Sequence, residues 1–448
     1  MTSDKNTQKG LYIKNFGCQM NVYDGDRMQE MMSSHNYDSV NSVEDADLVI
    51  LNTCHIREKA TEKIYSELGR IKKNISGKKK RTTIAVAGCV AQAEGQELIK
   101  RAPIIDLVFG PLTYHHLPNI LQSFEKDNSI KKKAIVDIEP PSEDKFTELP
   151  KRLKEKQTIS TFLSVQEGCD KFCTFCVVPY TRGVETSRSF LEIKDEAKEL
   201  ISNGVQEIIL LGQNVNAWSN SNNNAMDFAD LIYELSLLEI KRIRFTTSHP
   251  NDMNHKLISS FRDIEKLQPY LHLPIQSGSD KVLKNMNRNY SSEEYIEIIS
   301  ELKSIRPDIA ISGDFIVGFP GETEDDFNKT EEIVRKIGYA HAYSFKYSPR
   351  PGTPAGQMKD QIDEKIKSER LQRLQHVIKQ SMYNYNKKFL NQSLQVLVEK
   401  ETSPGFFSGR SPYLQSIHFQ SNKPCIGNIV DIKILKVNDN SLSGEIFN

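Results

Sequence analysis

Three short apolar runs, each closing on a cysteine, constrain the fold of this chain more than any other feature. They are "LYIKNFGC" ending at Cys18, "ADLVILNTC" ending at Cys54 and "TTIAVAGC" ending at Cys89, at intervals of 36 and 35 residues. Such an interval holds one strand, one crossover helix and two loops, so the stretch reads as successive βαβ units. "IDLVFGP" (105–111) supplies a fourth strand. The implied architecture is α/β: an open parallel sheet with helices on both faces. Neighbouring parallel strands lie about 4.8 Å apart, so cysteines at the C-terminal ends of three of them meet at one edge, where open sheets of this kind bind ligands.

A chain of 448 residues exceeds what one hydrophobic core organises, and three parts are legible in it. Residues 1–125 hold the repeated unit. Residues 126–157 mix charge with Pro140, Pro141 and Pro150 and read as a linker. Across 158–382, apolar strands alternate with helical patterns six times, ending at "SVQEGC", "IILLGQN", "IRFTTSHP", "LHLPIQSGS", "DFIVGFPGET" and "YSFKYSPRPGT". That alternation predicts a partial (βα)6 barrel whose polar and glycine-rich motifs follow its strands, where such barrels place their chemistry. Ser291-x-x-Glu294 and Thr323-x-x-Asp326 mark helix starts. A long helical stretch (361–390) leads into 383–448, where the short runs "LQVLVEK", "IVDIKILKV" and "LSGEIF" predict a small antiparallel β-barrel.

Seven cysteines without an apolar leader argue against a disulfide framework and for metal binding or catalysis in a cytoplasmic protein. No apolar run reaches the roughly 20 residues that span a bilayer. Cys169, Cys173 and Cys176 in "EGCDKFCTFC" can wrap one iron–sulfur cluster from a single loop. Structural zinc is the alternative, but it takes four ligands, and neither a further cysteine pair nor a histidine tract lies nearby. For Cys18, Cys54 and Cys89 the alternative is three buried thiols, since cysteine is a common small hydrophobe after a strand. If they converge as thiolates about 4 Å apart, each pair repels by about 4 kcal/mol at an effective dielectric near 20. They therefore stay protonated, oxidise, or neutralise their charge on a metal. Cys425 matches no motif and reads as a buried thiol.

The three-cysteine loop after the first barrel strand resembles the radical S-adenosylmethionine superfamily. "FGCQMNVYD", "ILNTCHIREKA", "VAGCVAQAEG", "GCDKFCTFCVVPYTRG" and "YSPRPGTPA" together look like the MiaB-type tRNA methylthiotransferases, over essentially the whole chain and with a C-terminal segment similar to the TRAM RNA-binding module. The resemblance implies two 4Fe-4S clusters, an auxiliary one on Cys18, Cys54 and Cys89 and a radical-generating one on Cys169, Cys173 and Cys176. It implies that S-adenosylmethionine takes the open iron of the second, and that an electron splits it into methionine and a 5′-deoxyadenosyl radical. "GCQMN" and "NTCHIREKA" point to the branch acting on isopentenylated adenosine next to the tRNA anticodon. The sister branches act on threonylcarbamoyl-adenosine or on a ribosomal protein, and an iron–sulfur RNA-binding sensor is the non-enzymatic alternative. An electron donor and a sulfur source are further implied partners.

By the same resemblance Gly212, Gln213 and Asn214 approach the cofactor's methionine moiety; Gly318 and Gly321 let the backbone come close to an adenine, and Gln276, Ser277, Ser248 and His249, after their strands, read as ribose or substrate contacts. A glycine turn and a structural histidine are the plainer readings. Glu322 reads as a helix cap. Arg182 and Arg188 pair with the cofactor carboxylate or an RNA phosphate, or else form ordinary ion pairs. Lys+Arg and Asp+Glu are both 59, so any RNA surface must be local. Candidates are the run "RIKKNISGKKKR" (70–81), more simply a solvated loop, and Lys387, Lys388, Arg410, Lys423, Lys433 and Lys436 with Phe406, Phe407 and Tyr413 for stacking.

Overall fold

The computed structural model describes residues 8–55, 60–78, 81–126, 134–139, 145–152, 158–220 and 226–447. The chain divides into two compact units, Met1–Leu153 with Val177–Val184, and Lys154–Cys176 with Glu185–Asn448.

The first unit is built on six parallel strands, β1 (Lys9–Phe16), β2 (Tyr37–Ser39), β3 (Leu48–Thr53), β4 (Thr83–Gly88), β5 (Leu107–Phe109) and β6 (Ile135–Asp137), in the order β2-β1-β3-β4-β5-β6. The near-continuous apolar runs arise because both faces are covered. Leu48, Ile50, Ala85, Ala87, Leu107 and Phe109 pack with Met28, Met31 and Met32 of helix α1 (Gln19–Ser33). Their neighbours Val49, Leu51, Ile84, Val86 and Val108 pack with Ile64, Leu68 and Ile71 of helix α2 (Ala60–Asn74) on the other face. The sheet is larger than expected at both ends. β2 is too short to show a period, and β6 belongs to the stretch 126–157 that reads as a linker. Within that stretch Lys145 is also buried, its Nζ donating to Pro111 O at 3.1 Å. Flanking lysines and prolines hide the alternation of "AIVDI".

In the second unit six parallel strands form two trios: β7 (Ser160–Ser164), β8 (Glu207–Leu211) and β9 (Arg242–Phe245), then β10 (Tyr270–His272), β11 (Ala310–Val317) and β12 (His341–Lys346). A parallel bridge between Ile243 and Leu267 leads from one trio toward the other. This is the expected partial barrel. Both expected helix starts are reciprocal capping boxes, Ser291 with Glu294 and Thr323 with Asp326.

The helix Glu364–Lys387 leads to the closed barrel β13 (Ser393–Ser403), β14 (Phe406–Arg410), β15 (Ser416–Gln420), β16 (Ile429–Val437) and β17 (Leu442–Ile446). It docks on the N-terminal ends of the larger barrel's strands. Tyr270, Ala310 and Ala340 share an apolar core with Val396, Val398, Ile417 and Ile432. Arg242 donates to Arg410 O (2.8 Å) and Gln395 O (3.0 Å), and Arg244 to Pro412 O (2.6 Å) and Ser411 O (2.7 Å). Arg244 Nε also pairs with Glu207 at 2.8 Å, both side chains being 1% exposed. Removing one partner of such a pair leaves a buried charge uncompensated. Arg244→Met is therefore expected to destabilise the protein by about 3 kcal/mol in denaturant unfolding, whereas an exposed pair such as Lys198–Asp195 changes it by less than about 1 kcal/mol.

Candidate metal centres

The register of the first sheet sets its three cysteines abreast. Phe16 pairs with Thr53 and Thr53 with Gly88, so Cys18, Cys54 and Cys89 leave the same ends of three adjacent strands. Cys18 stands at the N-cap of α1, and Cys89 opens helix α3 (Cys89–Glu94). Gly17 makes the approach close enough: at φ +115°, a Cβ there would lie 2.1 Å from Cys54 Cβ and 3.0 Å from its sulfur. An amide network ties β1, β3 and the first turn of α1 together. Asn52 Nδ2 donates to Asn15 Oδ1 (3.0 Å) and Asn21 O (2.7 Å), Asn21 Nδ2 donates to Asn52 Oδ1 (3.1 Å), and Cys18 Sγ donates to Asn21 Oδ1 (3.1 Å).

Charge is concentrated at this edge. Arg182, on the short helix α4 (Val178–Arg182), pairs with Asp24 at 2.5 Å with both side chains 2% exposed, and Lys145 Nζ lies 3.8 Å from the other Asp24 oxygen. A hydrogen bond with Cys54, assisted by the Arg182 charge, pulls the Cys18 thiol down to about 6 against the effect of burial. Burial pushes Cys89 up, although Arg182 bonds to it and opposes the rise. Among the described residues no three His, Cys, Asp or Glu side chains are gathered as one bound ion would hold them. The convergence of this trio rests on strand register and on the mutual influence of Cys18 with Cys54 and Cys89. Three cysteines at one sheet edge are the type of donor that an iron–sulfur cluster takes.

The second trio follows β7. Its loop is braced by the turn after the helix Asp280–Asn285. Thr174 N donates to Met286 O (3.0 Å), Thr174 Oγ1 to Asn285 O (2.8 Å), and Asn287 Nδ2 to both Lys171 O and Phe172 O (3.1 Å each). Phe172, at φ +47°, is held in left-handed backbone. Burial raises Cys169 to about 11, so a metal binding there displaces a proton.

Around the C-terminal ends of β8 and β9, four buried polar atoms have no hydrogen-bond partner among the described residues: Gln213 Nε2, Asn214 Oδ1, Ser248 Oγ and His249 Nε2. Each unsatisfied atom costs about 1–3 kcal/mol, which a polar ligand at this mouth recovers. His249 is the most informative. Burial, with Arg288 and Lys171, depresses its pKa to about 2, so the ring is neutral. Its Nδ1 accepts from Asn251 N at 3.3 Å, which leaves the proton on Nε2 as an open donor. Asn216 holds the residue from both sides, donating to His249 O (2.9 Å) and accepting from His249 N (2.8 Å).

Residues 10–110 match the uncharacterized protein family UPF0004, residues 163–334 the radical SAM superfamily and residues 387–447 the TRAM domain. The chain is 49% identical over 460 residues to the tRNA-2-methylthio-N(6)-dimethylallyladenosine synthase of Bartonella bacilliformis, covering 99% of this chain and 98% of that protein. This chain belongs to that synthase family. Its identity to the synthase of Sphingopyxis alaskensis is 51% over 449 residues, 99% of each. The radical S-adenosylmethionine methyltransferase TsrM from Kitasatospora setae shares the fold at a TM-score of 0.59, over 78% of this chain and 75% of its own, with 12% identity.

In this member of the synthase family several residues lie where the sequence reading places them, and others do not. Gly212, Gln213 and Asn214 follow β8. Gly212 leaves room for Gln166, whose Oε1 accepts from Gln213 N (2.8 Å) and Asn214 N (3.1 Å), while Gln213 Oε1 accepts from Gly168 N at 2.6 Å. Gln276, at φ +79°, bridges to β11. Ser277 is fully buried against Thr330 (3.3 Å) and the Ser279 N–H (3.2 Å), so it props its loop. Gly318 makes room for Lys367, and its N–H is taken by Glu322, which also binds Arg370 and so braces the loop where a helix cap was expected. Arg182 stands with the first trio, beside Asp24 and Cys89. Arg188 pairs with Glu196 at 2.8 Å.

In the small barrel Phe407 is buried against Phe419, and Tyr413 donates to Asp308 at 2.9 Å, which leaves Phe406, 47% exposed, as the ring free to stack. In the basic run Arg70 pairs with Glu67 and Arg81 with Asp106, while Lys79 and Lys80 lie outside the described residues. Cys425 is the expected buried thiol. Asn15, Asn21, Asn52, Asp24, Asn216 and Arg288 leave no signal in the sequence, because uncharged amides and distant ion pairs carry no local pattern. Gly17→Ala, by displacing Cys54, is expected to remove the iron of the first trio and keep that of the second, as read by iron counting after anaerobic reconstitution.

Proposed function

We propose that this protein is a tRNA methylthiotransferase that adds a methylthio group to C2 of N6-isopentenyladenosine at position 37, next to the anticodon, using S-adenosylmethionine. The observation that carries the reading is the pair of cysteine trios at the C-terminal ends of parallel strands, in a chain about half identical to the synthases over its whole length. When bound, one 4Fe-4S cluster would supply the electron that cleaves S-adenosylmethionine and the other would support sulfur delivery.

The chain's own residues bind, orient and shield. Cys18, Cys54 and Cys89 hold the auxiliary cluster, and Cys169, Cys173 and Cys176 the radical one. Gln213, Asn214, Ser248 and His249 offer two donors, an acceptor and a hydroxyl to a polar cofactor or substrate. The apolar barrel interior beneath them excludes water from a reactive site. C2 of adenine has neither an acidic proton nor a leaving group, so hydrogen abstraction suits it where acid–base chemistry does not. Exposed Lys387, Lys388, Lys423 and Lys436, with Phe406, suit the TRAM region to the phosphates and an unstacked base of an anticodon stem-loop. A low-potential electron donor and a sulfur source complete the reaction, which we place in the cytoplasm. Among the described residues no helix is long and apolar enough to cross a membrane.

Mass analysis of nucleosides from cells lacking the protein tests the reading. 2-Methylthio-N6-isopentenyladenosine is expected to vanish and N6-isopentenyladenosine to accumulate. Loss of the methylthio group from threonylcarbamoyl-adenosine or from a ribosomal protein instead overturns it. With reduced protein and S-adenosylmethionine, methionine and 5′-deoxyadenosine are expected; their absence favours a non-enzymatic sensor. Replacing Cys169, Cys173 and Cys176 together by Ala is expected to abolish both products and leave about half the iron, the share of one of two equal clusters.

A further inference from the structure

Arg288 is a buried cation that none of the preceding roles uses. It is 7% exposed, and its guanidinium donates from Nε to the Tyr290 hydroxyl at 2.7 Å, from Nη2 to Pro274 O at 2.8 Å and from Nη1 to Cys173 Sγ at 3.5 Å. Among the described residues none of its partners is a carboxylate. A guanidinium keeps its proton in a protein, and a buried charge without a counter-charge is costly. The Tyr290 phenol, which burial pushes up to about 12, stays neutral. Of the three partners Cys173 is the one that the proposed function makes an iron ligand, and a ligating sulfur is a thiolate.

These bonds also join two loops. Pro274 O, which Arg288 binds directly, and Ile275 O, which accepts from the Tyr290 hydroxyl at 2.9 Å, immediately precede Gln276. Gln276 occupies left-handed backbone at φ +79°, a conformation that persists only where neighbours impose it. On its other side the same turn holds Lys171, Phe172 and Thr174 of the cysteine loop.

We propose that Arg288 is a positioning residue for the second metal centre, hydrogen-bonding the Cys173 sulfur, facing it with positive charge when it ligates iron, and locking the Gln276 loop to the cysteine loop. The inference rests on Cys169, Cys173 and Cys176 being cluster ligands. A cation and a donated hydrogen bond at a ligating sulfur favour the more negative, reduced form of a cluster, and so raise its reduction potential.

Potentiometric titration followed by electron paramagnetic resonance tests this, in a parent variant carrying Cys18→Ala, Cys54→Ala and Cys89→Ala so that one cluster is observed, with iron counted per chain. R288M is expected to shift the midpoint potential downward. R288K, which keeps the charge and loses the planar fork, is expected between R288M and the parent. Potentials of both variants equal to the parent's overturn the inference. Should R288M fail to take up iron, a lowered potential in R288K supports the inference and an unchanged one overturns it. A parent that takes up no iron overturns the cluster reading itself, and this inference with it.

Discussion

Strand register is the constraint on which the first candidate metal centre depends. Parallel pairing carries the same end of every strand to one edge, and the hydrogen-bond ladder sets Phe16, Thr53 and Gly88 side by side. A slip of one residue would turn each apolar side chain to the opposite face, and both faces are packed, with Leu48 and Ile50 on one and Val49 and Leu51 on the other. The core therefore enforces the register, and the register delivers the sulfurs. Gly17 and the Asn15–Asn52–Asn21 network then set the last ångström, one by leaving out a side chain and the other by tying β1, β3 and α1 together.

The second unit uses the same directional logic with its two ends assigned differently. The N-terminal ends of β7 to β12 are closed by the small barrel, through a shared apolar core and through Arg242 and Arg244, which bind carbonyls of the incoming chain. The C-terminal ends carry the cysteine loop, the open atoms of Gln213, Asn214, Ser248 and His249, and the strained backbone of Phe172 and Gln276. Buried polar atoms left unsatisfied and residues held in left-handed backbone are both unfavourable by themselves. Their gathering at one mouth suits that end of the barrel to a polar ligand.

Each trio also has a buried arginine at one of its sulfurs, and the two differ in their counter-charge. Arg182 at Cys89 is paired with Asp24, whereas the partners of Arg288 at Cys173 are a phenol, a carbonyl and the sulfur. The electrostatic surroundings of the two trios are therefore not equivalent.

Much of this was legible in the chain alone, because the information is local. The spacing of Cys18, Cys54 and Cys89, the loop of Cys169, Cys173 and Cys176, the six strand–helix alternations and the capping signals at Ser291 and Thr323 all lie within short windows where periodicity and turn chemistry speak directly. What the sequence left undecided was long-range pairing. It did not reveal that Arg182 stands with Cys89 and Asp24, that Ser277 bonds to Thr330 and Glu322 takes the Gly318 N–H while His249 presents an open donor, or that 126–157 adds a strand to the sheet. Those assignments depend on which side chains share a buried, low-dielectric space. That is a property of the closed tertiary structure, since no residue can specify its distant neighbour until the core that joins them has formed.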